Sequence, residues 1–277
     1  MKWVVAVDLG ESCEGALGWA RWLRTSDADA HLVVAHAVDI VTNLAPPRAQ
    51  TVMRHVREFV QPRLPEVEMR VLEERPPEDA LARVLSIHAA DVLVIGRRAP
   101  RDGDDLVRLG AVARRLLRRL PGPVLVCPPD MVGAEVASGP VLVCVDGQGG
   151  DASALAFGRE LADATGLPLR AITVSPPAFA AGVTYQPTPA HTVGMDEMHE
   201  AAVRAWLAEQ PGDPVELLVA SGRVIPSILR ASDELRASML VCGSRLLTTA
   251  ERVFNTSVGT ALAATARIPV AVVPPTA

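Results

Sequence analysis

The sequence is almost devoid of lysine, because Lys2 is the only one among 277 residues. A Walker-type phosphate loop, a protein kinase and a Schiff-base enzyme each need a lysine inside the fold. A lysine at the second position cannot serve any of these motifs. These three classes of protein are therefore excluded.

Metal-binding arrangements of cysteine and histidine are also absent. The chain has four cysteines and six histidines, but no CxxC and no histidine pair at ligand spacing. Cys127, Cys144 and Cys242 stand in runs of Val and Leu, where cysteine behaves as a small core hydrophobe. We expect no zinc site, and we interpret the thiols as those of a reduced cytoplasmic protein.

The sequence lacks an excess of positive charge and lacks targeting signals. Its net charge of −5 argues against general binding to nucleic acid, which needs basic residues to neutralise phosphates. The chain opens on the strand-like KWVVAVD, with no signal peptide before it. Residues 171–190 carry no charge, but their prolines exclude a membrane helix. We therefore expect a cytoplasmic protein that binds neither nucleic acid nor a membrane.

What the sequence does contain is an internal duplication. The stretch VVAVDLGESCEGAL corresponds to VLVCVDGQGGDASAL, DVLVIGRR to SMLVCGSR, and GPVLVCPP to IPVAVVPP. We predict two domains, 1–130 and 139–277, each of ordinary domain length. The segment PPDMVGAEVASGP (128–140) is rich in proline, glycine and small residues and serves as the linker.

Each copy alternates apolar runs with helical patterns. The runs are continuous rather than alternating, as strands buried on both faces require. This order predicts an α/β fold, with a doubly wound, five-stranded parallel sheet in each domain. Strands are predicted at 3–7, 31–37, 67–72, 91–95, 123–127, 141–145, 169–174, 215–219, 239–242 and 269–273, and first-copy helices at 12–25, 50–61, 77–89 and 109–120.

Several of these segments resemble the universal stress protein family. The first strand–helix turns, AVDLGESCEGALGWA and CVDGQGGDASALAFG, match that family, as do ASGRVIPSILRAS and the endings GPVLVCPP and IPVAVVPP. The resemblance spans nearly the whole chain and implies a tandem member of the family. In the family the last strands pair at the domain–domain interface, so the resemblance implies an internal pseudo-dimer, and two such chains can associate further as a homodimer.

The resemblance also implies an adenine nucleotide at the carboxyl ends of the strands. ATP-binding members carry a loop of the form G-x-x-G, nine residues, then G-[ST], together with an aspartate after the first strand and a small aliphatic residue after the second. The second copy keeps the nine-residue gap but has Leu246 and Thr256 where the family has glycine. Its candidate residues are Asp146, Val174, Gly243, Ser244, Leu246, Thr256 and Ser257.

The first copy departs from the pattern in a different way. Its helix-opening glycine, Gly110, survives, but Ala99 replaces the middle glycine, the gap holds ten residues, and Ala111 lacks the expected hydroxyl. Arg97 and Arg98 stand in this loop, with Arg101 and Arg108 nearby, and arginine forks suit phosphate oxygens. The alternative is that the arginines are solvated and balanced by local aspartates. The candidate residues are Asp8, Ala37, Gly96, Arg97, Arg98, Ala99, Gly110 and Ala111.

Several of these residues have two interpretations. Asp8 and Asp146 either bond a ribose or adenine edge, or cap the following helix and hold the turn in shape. Ser257 either donates to a phosphate or is the N-cap of its own helix, the commoner role of such residues. Glycines in the loops either adopt a positive φ or let a phosphate approach the backbone. The arginines of helix 109–120 either face solvent beside acidic partners such as Glu78 and Asp79, or receive an anionic partner.

We carry three hypotheses of function forward. The first is a stress-response regulator that binds ATP, or AMP or ADP, in one or both copies, with Mg²⁺ able to accompany ATP. The second is a scaffold of the same fold that acts through dimerisation and a regulatory protein partner. The third is an enzyme of the wider adenine-nucleotide α-hydrolase group, which the missing SGGxDS-type loop disfavours. No catalytic residue is predicted, and His36 is expected in the core, so any ATP hydrolysis would be slow.

Overall fold

The computed structural model describes most of the chain. The described residues are 1–27, 29–38, 49–73, 76–98, 109–131, 136, 138–148, 150–175, 189–244 and 257–275. Among the site residues predicted from sequence, Ala99, Leu246 and Thr256 lie outside these ranges.

Strands and helices alternate along the chain as the sequence predicts. The strands are β1 Lys2–Ala6, β2 His31–Ala37, β3 Glu68–Leu72, β4 Val92–Gly96, β5 Val124–Cys127, β6 Val141–Cys144, β7 Leu169–Ser175, β8 Glu216–Ser221, β9 Met239–Gly243 and β10 Val270–Val273. The helices are α1 Glu14–Ser26, α2 Ala49–Val60, α3 Pro77–Ile87, α4 Ala111–Arg119, α5 Asp151–Thr165, α6 Pro189–Ala208, α7 Val224–Glu234 and α8 Val258–Thr265. Short 3₁₀ turns occupy Glu11–Cys13 and Pro129–Met131.

The first compact unit comprises Met1–Val136 together with Ala263–Val272. Its parallel strands lie in the order β3-β2-β1-β4-β5, and β10 pairs antiparallel with β5 through Val270–Val126 and Val272–Val124. The side chains of β5 are all buried, as a strand covered on both faces requires. The last strand of the second repeat therefore completes the sheet of the first unit.

The core of the first unit is centred on two tryptophans. The rings of Trp3 on β1 and Trp19 on α1 have centroids 4.8 Å apart, and both side chains are at most 1% exposed. Such a tilted pair buries a large apolar area and fixes the helix against the sheet. Helix α1 also contacts β4 and β5.

The second compact unit comprises Ala137–Leu262 and Val273–Ala277. Its parallel strands lie in the order β9-β6-β7-β8. Helix α5 packs on β6, β7 and β9, as α1 packs on the first sheet. The predicted α/β fold is confirmed, and the ends of the predicted strands lie within two residues of the observed ones.

Candidate functional site

The strand order of each unit creates one position where a ligand can lie between diverging loops. In the first unit, β1 is followed in space by β2 on one side and by β4 on the other. In the second unit, β6 lies in the same way between β7 and β9. Open parallel sheets bind ligands at the carboxyl ends of the strands at such a reversal of order. Among the described residues, the predicted site residues near strand ends lie on these two edges: Asp8, Ala37, Gly96, Asp146, Val174 and Gly243.

Asp8 holds the turn that follows β1. Its Oδ1 accepts a hydrogen bond of 3.1 Å from the amide of Gly10, and its Oδ2 accepts one from the hydroxyl of Ser12. Between them Leu9 adopts a φ of 59°, a left-handed conformation that is costly for a branched side chain. The side chain of Asp8 is nevertheless exposed. It therefore shapes the turn and still presents carboxylate lone pairs to solvent.

Gly96 ends β4 against this same turn. A Cβ atom at Gly96 would lie 1.7 Å from the carbonyl oxygen of Ser12 and 2.8 Å from the Cα of Cys13. The absence of a side chain is therefore required by backbone packing, a reason that differs from the positive φ or phosphate approach expected from the sequence. The Cys13 thiol donates to the Gly10 carbonyl at 3.1 Å, and burial raises its pKa to about 11.

Gly110 is the residue at which helix α4 begins. It is the N-cap residue, with φ −58° and ψ 160°, and a Cβ built on it would meet no atom of the described residues within 4 Å. The first hydrogen bond of the helix runs from the Arg114 amide to the Gly110 carbonyl, at 3.0 Å. The amides of Ala111, Val112 and Ala113 precede that bond, and glycine has no side chain with which to cap them. This helix start can offer donors to an anion.

The two arginines at the end of β4 behave differently. Arg97 is 5% exposed, and its guanidinium donates to the carbonyls of Ala264 and, at 2.9 Å, Ala266. These carbonyls belong to the last turn of α8 and the residue that follows it. Arg98 is exposed. Two terminal nitrogens of Arg97 are thus engaged by the backbone, and phosphate binding by either arginine stays a prediction.

The second repeat replaces the first-repeat cysteine with a carboxylate. Asp151, at the position equivalent to Cys13, accepts amide hydrogen bonds on Oδ2 from Asp146 at 2.6 Å, Gly147 at 2.9 Å and Gln148 at 3.3 Å. The side chain is buried, and this burial raises its pKa to about 6, although the amides of Gln148 and Gly147 act in the opposite direction. Three amide donors of this turn are therefore already occupied by the Asp151 carboxylate.

Asp146 itself repeats the role of Asp8. Its Oδ1 accepts from the Gln148 amide at 3.1 Å, the same two-residue step that joins Asp8 and Gly10. The residue after it, Gly147, has a φ of 78°, where the first repeat has Leu9. Both aspartates thus hold their turns, the structural role that the sequence left open beside ribose binding.

Gly243 ends β9 in the way that Gly96 ends β4. A Cβ atom here would lie 2.7 Å from the carbonyl oxygen of Gly150. The next residue, Ser244, is 8% exposed, and its amide donates to the Val273 carbonyl at 2.7 Å. The close approach of the fourth strand to the first strand–helix turn is therefore common to both repeats.

Ser257 caps helix α8. Its hydroxyl oxygen accepts from the Thr260 amide at 3.2 Å and donates to the Thr260 hydroxyl at 2.7 Å. Of the two interpretations from sequence, the structure shows the N-cap. The start of α8 thus carries a side-chain acceptor that the start of α4 lacks.

The ends of the second strands bring in residues that sequence reasoning missed. Ala37 ends β2, and the neighbouring His36 joins its Nδ1 to the Val7 carbonyl at 2.8 Å. His36 is half-buried rather than in the core, although its ring is bonded to the backbone as expected. Val174 is 9% exposed, and the two polar residues beside it bond to α6. Ser175 donates to Asp196, and the Thr173 hydroxyl lies 2.9 Å from His199 Nε2. The three-residue spacing of Asp196 and His199 on a helix was the available signal.

The arginine face of α4 finds the acidic partners expected for it. Arg115 lies 3.2 Å from Glu78 Oε1, and Arg119 pairs with Asp79. Glu78 and Asp79 lie in the first turn of α3, where negative side chains interact favourably with the helix dipole. The solvent-facing interpretation of this helix is supported for these two arginines.

The described residues contain neither a metal-binding cluster nor a membrane-spanning helix. Within those ranges no group of three or more His, Cys, Asp or Glu residues is arranged to hold a metal ion. No helix built from the described residues has the length and apolar character needed to cross a membrane.

Comparison with known proteins agrees with this architecture. The model of the universal stress protein family matches residues 1–128 and again residues 138–274. A universal stress protein from Archaeoglobus fulgidus DSM 4304 shares the fold at a TM-score of 0.64 and 18% identity, over 99% of this chain and 98% of that one. A functionally unknown protein from Pseudomonas aeruginosa PAO1 does so at 0.66 and 16% identity, over 99% and 92%. Comparison with curated proteins found no significant match. Since the family model covers most of its length in two copies, the chain belongs to the universal stress protein family.

Proposed function

We propose that this protein is a stress-response regulator that binds an adenine nucleotide in its first repeat, at the carboxyl ends of β1 and β4. The observation that carries the proposal is the start of α4 at Gly110, where no side chain among the described residues caps the helix and none of their atoms would lie within 4 Å of a Cβ on the glycine. ATP is the ligand favoured by the family resemblance, with AMP and ADP as alternatives, and Mg²⁺ can accompany ATP.

The start of α4 is suited to an anion. The amides of Ala111, Val112 and Ala113 precede the first intrahelical hydrogen bond, and they lie at the positive end of the helix dipole. Ala111 is exposed, so a ligand can reach this end of the helix. Backbone amides bind phosphate oxygens at such positions without any lysine, which suits a chain whose only lysine is Lys2.

The end of β1 is suited to the sugar. Asp8 is exposed and uses only part of its acceptor capacity on Gly10 and Ser12. A carboxylate offers about four acceptor positions, so it can also accept from ribose hydroxyls. The amides at the start of α4 would then bind the phosphates, and the Asp8 carboxylate would bind the ribose.

The second repeat is less suited to a phosphate. Ser257 already accepts from an amide in the first turn of α8, and Asp151 accepts from three amides of the β6–α5 turn. A phosphate approaching that turn would also meet the Asp151 carboxylate. We therefore expect one nucleotide per chain, in the first repeat.

We propose binding without catalysis. In the described residues of the first repeat, His36 joins its Nδ1 to a backbone carbonyl and the Cys13 thiol has a raised pKa. Neither is placed to activate water. ATP would then act as a signal whose presence is transmitted to a protein partner, and any hydrolysis would be slow.

The test of this proposal introduces a carboxylate at the N-cap position of α4. In Gly110→Asp the new side chain caps the amides of α4 and repels phosphates, while helix stability is unchanged or higher. We expect wild type to bind about one ATP per chain by isothermal titration calorimetry, and Gly110→Asp to bind at least about tenfold more weakly, a loss of about 1.4 kcal/mol.

Ser257→Asp is the matched control, because it makes the same change at the equivalent helix of the second repeat. Its ATP affinity should stay close to wild type. Equal affinity in wild type and Gly110→Asp would show that the first repeat does not hold the phosphates. A wild-type chain that is bare by native mass spectrometry and shows no thermal shift with ATP would instead favour the scaffold.

A further inference from the structure

We propose that the groove between α2 and β3 binds a short acidic peptide segment of another protein, which adds to the sheet as an extra strand. The groove is lined by Gln50, Met53, Arg54, Arg57, Met69, Arg70 and Val71 and has a volume of about 520 Å³. It lies within the first unit and shares no residue with the proposed nucleotide site.

One wall of the groove is a single stripe of α2. Gln50, Met53, Arg54 and Arg57 are spaced three and four residues apart, so they lie one above another on the helix. The neighbouring face of α2 packs on the core through Val52, Val56 and Val60, which are at most 8% exposed. The stripe therefore borders the buried face and is available to a ligand.

The other wall is the edge of β3. Three consecutive residues, Met69, Arg70 and Val71, line the groove. Since neighbouring side chains point to opposite faces of a strand, consecutive lining residues show that the groove follows the strand edge. Among the described residues, β3 pairs with β2 alone. An edge strand of this kind presents amides and carbonyls to which an extended peptide can bond.

The charge of the groove selects the partner. Arg54 and Arg57 are exposed, and no acidic partner for either is found in the described part of the chain. Arg70 of β3 is also among the lining residues, and it pairs with Glu68 at 2.5 Å. None of the lining residues that the structure describes is acidic, although the whole chain carries a net charge of −5. A local excess of guanidinium groups therefore favours carboxylates on the incoming segment.

The floor of the groove explains why an extended peptide is favoured over a small free anion. Met53, Met69 and Val71 are half-buried apolar side chains, and methionine adapts to differently shaped partners. A strand with acidic and apolar residues in alternation directs carboxylates to the arginines and apolar groups to this floor. Its backbone meanwhile pairs with β3.

The test uses the full-length chain and defined peptides. The probe is a fluorescein-labelled hexapeptide with glutamate and valine in alternation, blocked at both ends, and binding is followed by fluorescence anisotropy. We expect saturable binding that Arg54→Glu/Arg57→Glu weakens at least about tenfold, because two attractive pairs become repulsive. We also expect amides of Glu68–Leu72 to exchange hydrogen more slowly when the peptide is bound.

Matched controls separate the groove from general attraction to arginine. Arg114→Glu/Arg118→Glu makes the same charge change at two exposed positions of α4 and should leave binding within about twofold of wild type. A peptide with a central proline, which removes an amide and breaks strand pairing, should bind at least about tenfold more weakly.

The proposal is overturned by any of three results. These are no saturable binding by wild type, equal losses in the two double variants, or a proline peptide that binds as well as its parent. The last result would show that the groove binds acidic peptides without strand pairing. Because none of these measurements uses ATP, they are independent of the outcome at Gly110.

Discussion

The glycines that end β4 and β9 illustrate how a single residue can be required for an unexpected reason. Both were candidates for phosphate contact from sequence, yet each lies against the backbone of the first strand–helix turn of its repeat. A side chain at either position would displace that turn, and with it the aspartate that the turn positions. The phosphate-loop pattern therefore contains at least one glycine whose requirement is structural.

Gly96→Ala is expected to destabilise the protein by about 2–3 kcal/mol, because its Cβ would lie 1.7 Å from the Ser12 carbonyl oxygen. Urea unfolding followed by circular dichroism measures the change. Gly122→Ala is the control, since its Cβ would find its nearest neighbour at an ordinary 3.7 Å. Similar midpoints for the two variants would contradict the packing argument.

Asp151 gives the second repeat a pH dependence of stability. Burial raises its pKa from 3.8 to about 6, so between those values the folded protein binds more protons than the unfolded chain. Stability should therefore fall as pH rises through this window. We expect the free energy of unfolding of wild type to drop by about 2 kcal/mol, relative to Asp151→Asn, between pH 4 and pH 6.

Asp163→Asn supplies the matched control for this measurement, because it removes an exposed carboxylate from the same helix. Its pH profile should run parallel to that of wild type. If the profile of Asp151→Asn also runs parallel to wild type, the ionisation of this carboxyl has no part in stability.

At the scale of the element, most of the fold could be predicted from sequence. Continuous apolar runs such as VLVC of β5 are buried as expected, and two arginines of α4 pair with the acidic residues expected beside them. Because the sequence is duplicated, the pattern of each element could be compared between two copies. The 3₁₀ turn at Glu11–Cys13 was not predicted, because it depends on the hydrogen bonds that Asp8 makes to Gly10 and Ser12.

The candidate site was less accessible to sequence reasoning. The pairing of Asp151 with three turn amides, and of Ser175 with Asp196, arises from segments brought together only by folding. The Ser257 cap was one of two stated alternatives, and sequence could not choose between them. What a pattern match cannot show is whether a donor is already occupied by the chain.

Arg97 links two elements and provides a prediction at this scale. Arg97→Leu leaves the carbonyls of Ala264 and Ala266 without their guanidinium donors in a buried position. We expect a loss of about 2–3 kcal/mol in the free energy of unfolding, measured by urea titration. Arg98→Leu, at the exposed neighbouring position, should stay within about 0.5 kcal/mol of wild type. A stable Arg97→Leu with weakened ATP binding would assign Arg97 to the ligand instead.

At the scale of the whole molecule, duplication has produced two copies of one fold with different chemistry at the same edge. In the alignment of the repeats, Cys13 corresponds to Asp151 and Leu9 corresponds to Gly147. Gly110, which has no side chain to cap α4, contrasts with Ser257, which caps α8. A duplicated domain can keep its packing while one copy loses or changes its ligand, because packing and ligand donors lie on different residues. The proposed single occupancy follows from this division.

The membership of residues 263–272 in the first unit bears on how the protein is made. The guanidinium of Arg97 bonds to a carbonyl 166 residues further along the chain, and β5 pairs antiparallel with a strand of the same segment. A ribosome delivering residues from the amino end would release the first repeat long before that segment emerges. During that interval the edge of β5 has no partner strand. We therefore expect chaperones that cover apolar strand edges to matter more for the synthesis of this protein than for that of a single-repeat relative.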